Sequence, residues 1–274
     1  MNISERLKHC RTEDGRGYCH ICGKFGKLSR DHVPPKSAVK PSQIEQKLVT
    51  EIMPDNNIKG IIGAHGSTFQ TICKECNGTL LSVFDLEIKK VVDGLKGEIQ
   101  SSLSDIYRVY NQIRYPIDAV KLTKGIIGHI LSAVPYKLCK DEIIDTPLYT
   151  PMRDYVLGKK ESYENDYEIL YWFYPHKLNI AGSGFVIKDL TKENECGLSI
   201  CACLYFYPIA FLIVQKGKSF SELSFANTLE IDNRYVYLNI TAKNIRKSAF
   251  PFFGLDHTFL ALDNSSVTVS YPKK

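Results

Sequence analysis

Hydrophobic and polar positions change rhythm twice along the chain. Residues 16–35 hold no period and are rich in Gly, Cys, Lys and Pro, which predicts a turn-bounded knuckle, a short hairpin strand and an exit at Pro34-Pro35. Residues 36–70 read as an insertion with one possible helix around Gln43 to Met53 and a Gly-rich stretch, KGIIGAHGS. From Cys76 to Leu95 the pattern becomes helical: Leu80, Leu81, Phe84, Ile88, Val91 and Val92 fall on one face. Asn77 shares that face, because at about 100° per residue Leu81 lies about 40° and Phe84 about 20° from it. Further helices are predicted at Ser102 to Arg114, at Ile117 to Leu138 with Pro116 at the start, and at about Thr146 to Leu157.

Beyond Tyr167 the rhythm turns to β. The segments EILYWFY, AGSGFVIKD, LSICACLYFY, IAFLIV, YVYLNIT and VTVSY are rich in β-branched and aromatic residues and are separated by turn residues. The run from Cys196 to Gln215 holds about 20 uncharged residues, near the length that spans a bilayer. Pro208 and the cluster Tyr205, Phe206 and Tyr207 divide it, so two buried strands meeting at Tyr207-Pro208 fit better than a membrane helix. An α+β fold follows, with an N-terminal module over 1–97, a helical connecting region over 98–160 and an antiparallel β-rich part over 161–274.

Composition adds bounds. A chain of 274 residues with 44% hydrophobic and 24% charged content can bury a substantial core. Its 35 Lys and Arg against 30 Asp and Glu give a net charge of +5, which leans toward polyanionic partners without deciding the matter. The first residues, MNISERLKHCRTEDGR, contain no apolar stretch of the secretory kind, so a cytoplasmic location is expected. No segment reads as a helix-turn-helix or other DNA-reading motif.

Cysteine spacing changes the picture more. Four of the nine cysteines form two C-x-x-C pairs, Cys19/Cys22 and Cys73/Cys76. In a reducing compartment such pairs read as metal knuckles, and two of them close a tetrahedral four-cysteine site of the structural zinc type. Four ordinary thiols are the plain alternative, and His20 or His9 in place of one cysteine is a variant. Cys10, Cys139, Cys196, Cys201 and Cys203 read as free buried thiols.

Beside the knuckles lie polar residues with chemical potential: Asp31 and His32 in LSRDHVPPKS, and Asn77 directly after Cys76. A zinc staple between the two pairs would gather all three. Carboxylate and amide oxygens suit Mg²⁺ or Mn²⁺, and a neutral imidazole beside them can take a proton from water. Arg30 and Lys36, with Lys24 and Lys27 nearby, are candidates for phosphate contacts, although a solvated surface role serves each lysine equally well. His129 in GIIGHILSAV reads as a hydrogen-bonded core residue. The aromatic run Tyr171, Trp172, Phe173, Tyr174 with His176 reads as core rather than a base-stacking platform, and Asp256-His257 as a chance repeat of the dipeptide.

The order C-H-I-C, D-H-V-P-P-K, C-K-E-C-N resembles the HNH, or ββα-metal, endonucleases, in the subgroup where two C-x-x-C pairs bracket a D-H-[IV]-x-P segment and the second pair runs into Asn. The resemblance covers about residues 16–95. It implies a zinc-bound ββα module in which Cys19, Cys22, Cys73 and Cys76 hold structural zinc. It further implies that Asp31 and Asn77 hold a catalytic Mg²⁺ or Mn²⁺ and that His32 is the general base for phosphodiester hydrolysis in DNA, RNA being an alternative substrate. Three departures stand out: Thr68 occupies the place of an Asn that supports the base's loop in many members, Gly78-Thr79-Leu80-Leu81 replaces the usual Lys-Gly stretch, and the insertion after Pro35 is long. Family-level expectation adds restriction or anti-phage defence, with the C-terminal part targeting substrate, sensing a small-molecule activator or binding a regulatory protein. The rival expectation is a zinc-knuckle module that only binds nucleic acid or a partner.

Overall fold

The first cysteine pair builds the first turn of the fold. β1 (Arg16–Tyr18) and β2 (Phe25–His32) are antiparallel, with Tyr18 opposite Phe25. The turn between them closes through Cys19 N–H to the Lys24 carbonyl at 3.0 Å and Gly23 N–H to the Cys19 carbonyl at 2.8 Å. Gly23 sits at φ +76°, a conformation that a side chain would strain. After β3 (Ile44–Leu48) and β4 (Ile61–Gly63), β5 (Thr68–Cys73) returns to β2. Leu28 then faces Cys73 and His32 faces Thr68, and the register shifts between Ser29 and Asp31. A π-helical turn, Cys76–Leu81, opens the long helix α1 (Ser82–Ser104), which buries Ile88, Val91, Val92, Leu95 and Ile99 as the apolar periodicity predicts. The computed structural model describes residues 14–40, 42–52, 58–104, 112–189, 198–218, 223, 225–241, 258–261 and 266–273.

The middle of the chain is less helical than its pattern suggests. Of the helix expected from Ser102 to Arg114, residues 102–104 are the tail of α1, 105–111 lie outside the described residues, and β6 (Gln112–Pro116) pairs with β12 (Tyr235–Asn239) in a separate two-stranded sheet. Pro116 therefore ends a strand. The next helix, α2 (Ala119–Ser132), starts at Asp118, whose carboxylate accepts the Lys121 N–H at 3.1 Å in an N-cap. It stops short of Pro135, beyond which Tyr136–Cys139 form a 3-10 turn. Helix α3 (Tyr149–Val156) is preceded by Thr146, whose hydroxyl accepts the Tyr149 N–H at 2.9 Å.

The β-rich part is a mixed-length antiparallel sheet. β7 (Tyr167–Phe173), β8 (Asn179–Asp189), β9 (Leu198–Phe206) and β10 (Ile209–Gln215) supply its middle, β11 (Asn227–Leu229) one edge, and β13 (Thr258–Ala261) and β14 (Val267–Pro272) pair with β8. β9 and β10 meet at Tyr207-Pro208, Ile209 lying opposite Phe206, so the uncharged run is a hairpin as expected. Among the described residues no helix is long and apolar enough to cross a membrane.

The insertion joins this sheet. β3 pairs with β14, Thr268 facing Leu48, and β4 pairs with β3 at the far edge. The helix expected around Gln43 to Met53 is thus a strand followed by the 3-10 turn Val49–Glu51; residues 53–57 lie outside the described residues. Ile44 and Leu48, four apart, satisfy a helix period and a strand period alike, and pairing on both sides settles the choice.

One hydrophobic core runs from Ile21, Phe69 and Ile72 of the N-terminal unit through Leu81, Ile88 and Ile126 to Tyr171, Leu204 and Phe211 on one face of the large sheet. The other face carries a second cluster built on Leu170, Trp172, Cys203, Tyr205 and Leu212. Helix α2 lies at the centre of the first cluster. A side chain at Gly125 would collide with Ile88, and one at Gly128 with Leu81, so these two glycines let α2 close on α1. That approach places the following residue, His129, against the site described next.

Candidate functional site

The four knuckle cysteines converge. Their sulfur atoms all lie within 4.8 Å of one another, with Cys22 Sγ and Cys73 Sγ 3.8 Å apart. A tetrahedron with metal–sulfur distances of about 2.3 Å has edges of about 3.8 Å, so the donor set and spacing suit a structural zinc ion. Backbone amides already point at the sulfurs: Cys73 N–H donates to Cys19 Sγ at 3.2 Å and Cys76 N–H to Cys73 Sγ at 3.4 Å. The hydrogen bond from Cys76, against the opposing effect of burial, draws the Cys19 thiol down to about 5, while burial first pushes Cys22 up to about 11. Such a cluster carries one easy thiolate, and a bound cation is what lets the others ionise.

His20 does not share in the cluster. Its Nδ1–H donates to the Leu131 carbonyl at 3.1 Å, its ring packs edge-on against Tyr149, and burial first and the Arg153 charge second lower its pKa to about 3. It is a neutral packing residue, which rules it out as the variant ligand; His9 and Cys10 lie outside the described residues, as does Cys196. Cys139, Cys201 and Cys203 are buried free thiols, as read from sequence.

From this staple the candidate residues are set in place one by one. Asn77, in the π-helical turn directly after Cys76, turns its side chain to β2 and donates from Nδ2 to Ser29 Oγ at 2.9 Å and to the Arg30 carbonyl at 2.9 Å. Both amide hydrogens are spent on the register shift beside Asp31, which leaves Oδ1 as the acceptor of this side chain. His32 donates from Nε2 to the His65 carbonyl at 3.0 Å, so its Nδ1 holds the lone pair. Thr68, which stands where many members have a supporting Asn, is the strand neighbour of His32, and the hydrogen bond to the imidazole comes from this backbone carbonyl. The loop is held in turn by Val33 N–H on the Ser67 carbonyl at 3.1 Å and by Gln46 Nε2 of β3 on Ser67 Oγ at 2.9 Å. The large sheet thereby steadies the loop under His32.

Asp31 is buried, and its partner is a residue that sequence reading assigned to the core. His129 Nδ1 lies 2.9 Å from Asp31 Oδ2, and His129 Nε2 lies 2.7 Å from Asp85 Oδ1. Burial pulls the His129 pKa down, but the Asp31 charge and the hydrogen bonds to both carboxylates outweigh it and raise the value to about 10. His129 is a charged bridge. Asp85 went unnoticed in the sequence, although it sits eight residues after Asn77, about two helical turns along the same face.

Around this centre the surface is cationic. Arg30 and Lys36 are exposed, as is Lys27, while Lys24 pairs with Glu75 at 3.6 Å. A small cavity of about 30 Å³ opens beside His32, lined among others by Lys36, Lys40, Ser67 and Asn179. Tyr171, Trp172 and Tyr174 are buried within the sheet, as expected of core, and His176 rests on the ring of Tyr174. Asp256-His257 lies outside the described residues. The chain matches no protein-family model, no curated protein and no solved structure.

Proposed function

We propose that the chain is a metal-dependent endonuclease of the HNH type that hydrolyses phosphodiester bonds in DNA. One observation carries the reading. The residue after the last knuckle cysteine, Asn77, is hydrogen-bonded to the backbone directly before Asp31 and His32, which supports a site shared by the carboxylate, the imidazole and the amide beside the staple. A zinc module with a purely structural task needs none of these three.

On this reading His32 accepts a proton from water at Nδ1 while His65 holds its Nε2–H, and that water attacks phosphorus in line with the departing oxygen. The free oxygens of Asp31 and Asn77 would hold Mg²⁺ or Mn²⁺. When bound, the ion supplies Lewis-acid neutralisation of charge on the phosphate and leaving oxygen. Arg30 and Lys36 would contact flanking phosphates. The large sheet, which steadies the His32 loop through Gln46, would direct the nuclease to its substrate or hold it in check, a task that suits restriction or anti-phage defence.

A second reading draws on the same contacts. Asp31 and Asn77 both have structural partners within the chain, as they would in a zinc-stapled module that binds nucleic acid or a protein partner with its nuclease site vestigial. Plasmid and oligonucleotide substrates incubated with Mg²⁺, Mn²⁺ or EDTA separate the two. The nuclease reading expects metal-dependent cleavage by the wild type and none by His32→Ala. Equal cleavage by both proteins would refute the assignment of His32, and binding without cleavage under every condition would favour the module.

A further inference from the structure

Asp31, Asp85 and His129 come from β2, α1 and α2, and they meet where those elements pack. His129 has no exposed surface, and Asp31 has 4%. Each ring nitrogen of His129 faces a different carboxylate, at 2.9 and 2.7 Å on opposite edges of the ring. Both ring nitrogens are thus engaged by carboxylates, and neither is left for a metal. The imidazole is therefore no ligand. Without the imidazole, Asp31 would be a buried carboxylate lacking this partner.

The elements joined are those that carry the two arms of the proposed catalytic metal site. Asp31 lies on β2, and Asp85 lies on the helix that begins with Asn77. Helix α2, seated against α1 by Gly125 and Gly128, presents His129 between them. One oxygen of Asp31, Oδ2, is taken by His129, which restrains the carboxylate's rotation and leaves Oδ1 as its other acceptor. We propose that Asp85 and His129 are positioning residues, a carboxylate–imidazole strut that sets the separation of Asp31 from the helix following Asn77 and so shapes the site before any divalent ion binds. The identity of the arms rests on the nuclease reading; the strut's effect on metal binding is measured without nucleic acid.

The probe is Mn²⁺ alone, titrated into the full chain and followed by loss of the free-ion electron paramagnetic resonance signal, with bound zinc measured in parallel. His129→Gln should weaken Mn²⁺ binding about 10- to 100-fold, the usual cost of removing a partner that orients a metal ligand. Zinc should stay at one equivalent. Asp85→Asn should weaken binding several-fold in the wild type but have no further effect in a His129→Gln background, because Asp85 acts through the imidazole. Mn²⁺ affinity that is unchanged or tighter in His129→Gln overturns the proposal, as does an Asp85→Asn effect that persists in full in the double variant. Should His129→Gln fail to fold and lose zinc, wild-type Mn²⁺ affinity in Asp85→Asn overturns it alone. A protein that cleaves DNA with Mn²⁺ but ignores His129 sinks the strut and spares the nuclease reading. One that binds Mn²⁺ with the predicted His129 dependence and cleaves nothing does the reverse.

Discussion

The N-terminal strands are fastened to the helical part at two places, and the two fastenings use opposite chemistry. At one end four soft sulfur donors from two local turns gather around a space the size of a zinc ion. At the other, two hard carboxylates from β2 and α1 close on an imidazolium that belongs to a third element. The first tie uses residues within three positions of each other in each pair, and its strength would come from a metal. The second spans 98 residues between Asp31 and His129, and its strength comes from burial and charge alone. The difference separates holding the fold from shaping a site: a sulfur-filled tetrahedron has no open position, whereas the strut leaves an oxygen of Asp31 to spare.

Breaking the first tie should have the largest effect. Cys73→Ser removes a ligand from a site whose metal binding is itself folding energy, about 10–16 kcal/mol in small zinc modules. Loss of stoichiometric zinc by elemental analysis and aggregation or a collapsed thermal midpoint are expected, and because Phe69, Ile72 and Leu81 share a core with the large sheet, the damage should reach beyond the N-terminal unit. A variant that keeps wild-type zinc and midpoint would show that the sulfur cluster is no metal site. Breaking the second tie should cost less. His129→Ala strands two carboxylates, one of them fully enclosed, and should lower the unfolding free energy by about 3–5 kcal/mol in denaturant titration. Zinc should be retained, which is what distinguishes the two ties.

Two buried histidines, His129 on α2 and His20 bonded to its Leu131 carbonyl, sharpen the contrast through pH. His129, raised to about 10, contributes stability that is complete below its unfolded value of about 6.5 and is lost as pH rises toward 10. His20, lowered to about 3, contributes stability that is complete above about 6.5 and is lost as pH falls toward 3. Each can tilt stability by at most about 1.4 kcal/mol per pH unit. His129→Gln should flatten the alkaline limb between about pH 6.5 and 10, and His20→Asn the acid limb between about pH 6.5 and 3. Denaturation midpoints across pH decide; an alkaline limb identical in wild type and His129→Gln would mean that His129 is not charged in the native state.

How much of this was legible in the sequence depends on how far apart the partners lie. The knuckles were readable because each C-x-x-C pair is complete within four residues, and the apolar face of α1 because a helix repeats itself locally. The strands β7, β9 and β10 were readable because a strand buried on both faces is an unbroken apolar run. Asn77 reaches the backbone just before Asp31, whereas Asp31 itself turns to His129 and His32 to the His65 carbonyl. His129 announced only that a buried histidine needs partners; that these are Asp31 and Asp85 is a fact of how α2 meets α1, which no local pattern encodes. The same holds for Ile44 to Leu48 and Gln112 to Pro116, whose spacing admits either period until β14 and β12 supply a neighbour. The departure at Thr68 left open what holds His32, because the answer is a backbone carbonyl, which any residue can offer.

The smallest expected effect on stability belongs to the residue with the largest expected effect on chemistry. His32 is only partly buried, and its Nε2–H donates to the His65 carbonyl at 3.0 Å. Truncation to Ala frees that carbonyl to water rather than stranding it, so the cost should be about 0.5–1.5 kcal/mol, the net worth of a single hydrogen bond. Zinc content and Mn²⁺ affinity should be those of the wild type, since His32 belongs to neither tie. The measurement is a denaturant midpoint on the zinc-loaded protein beside the Mn²⁺ titration. A loss of several kcal/mol, or a fall in zinc, would make His32 part of the scaffold. It would then be unfit as evidence for a base, because lost cleavage in the same variant would follow from lost structure.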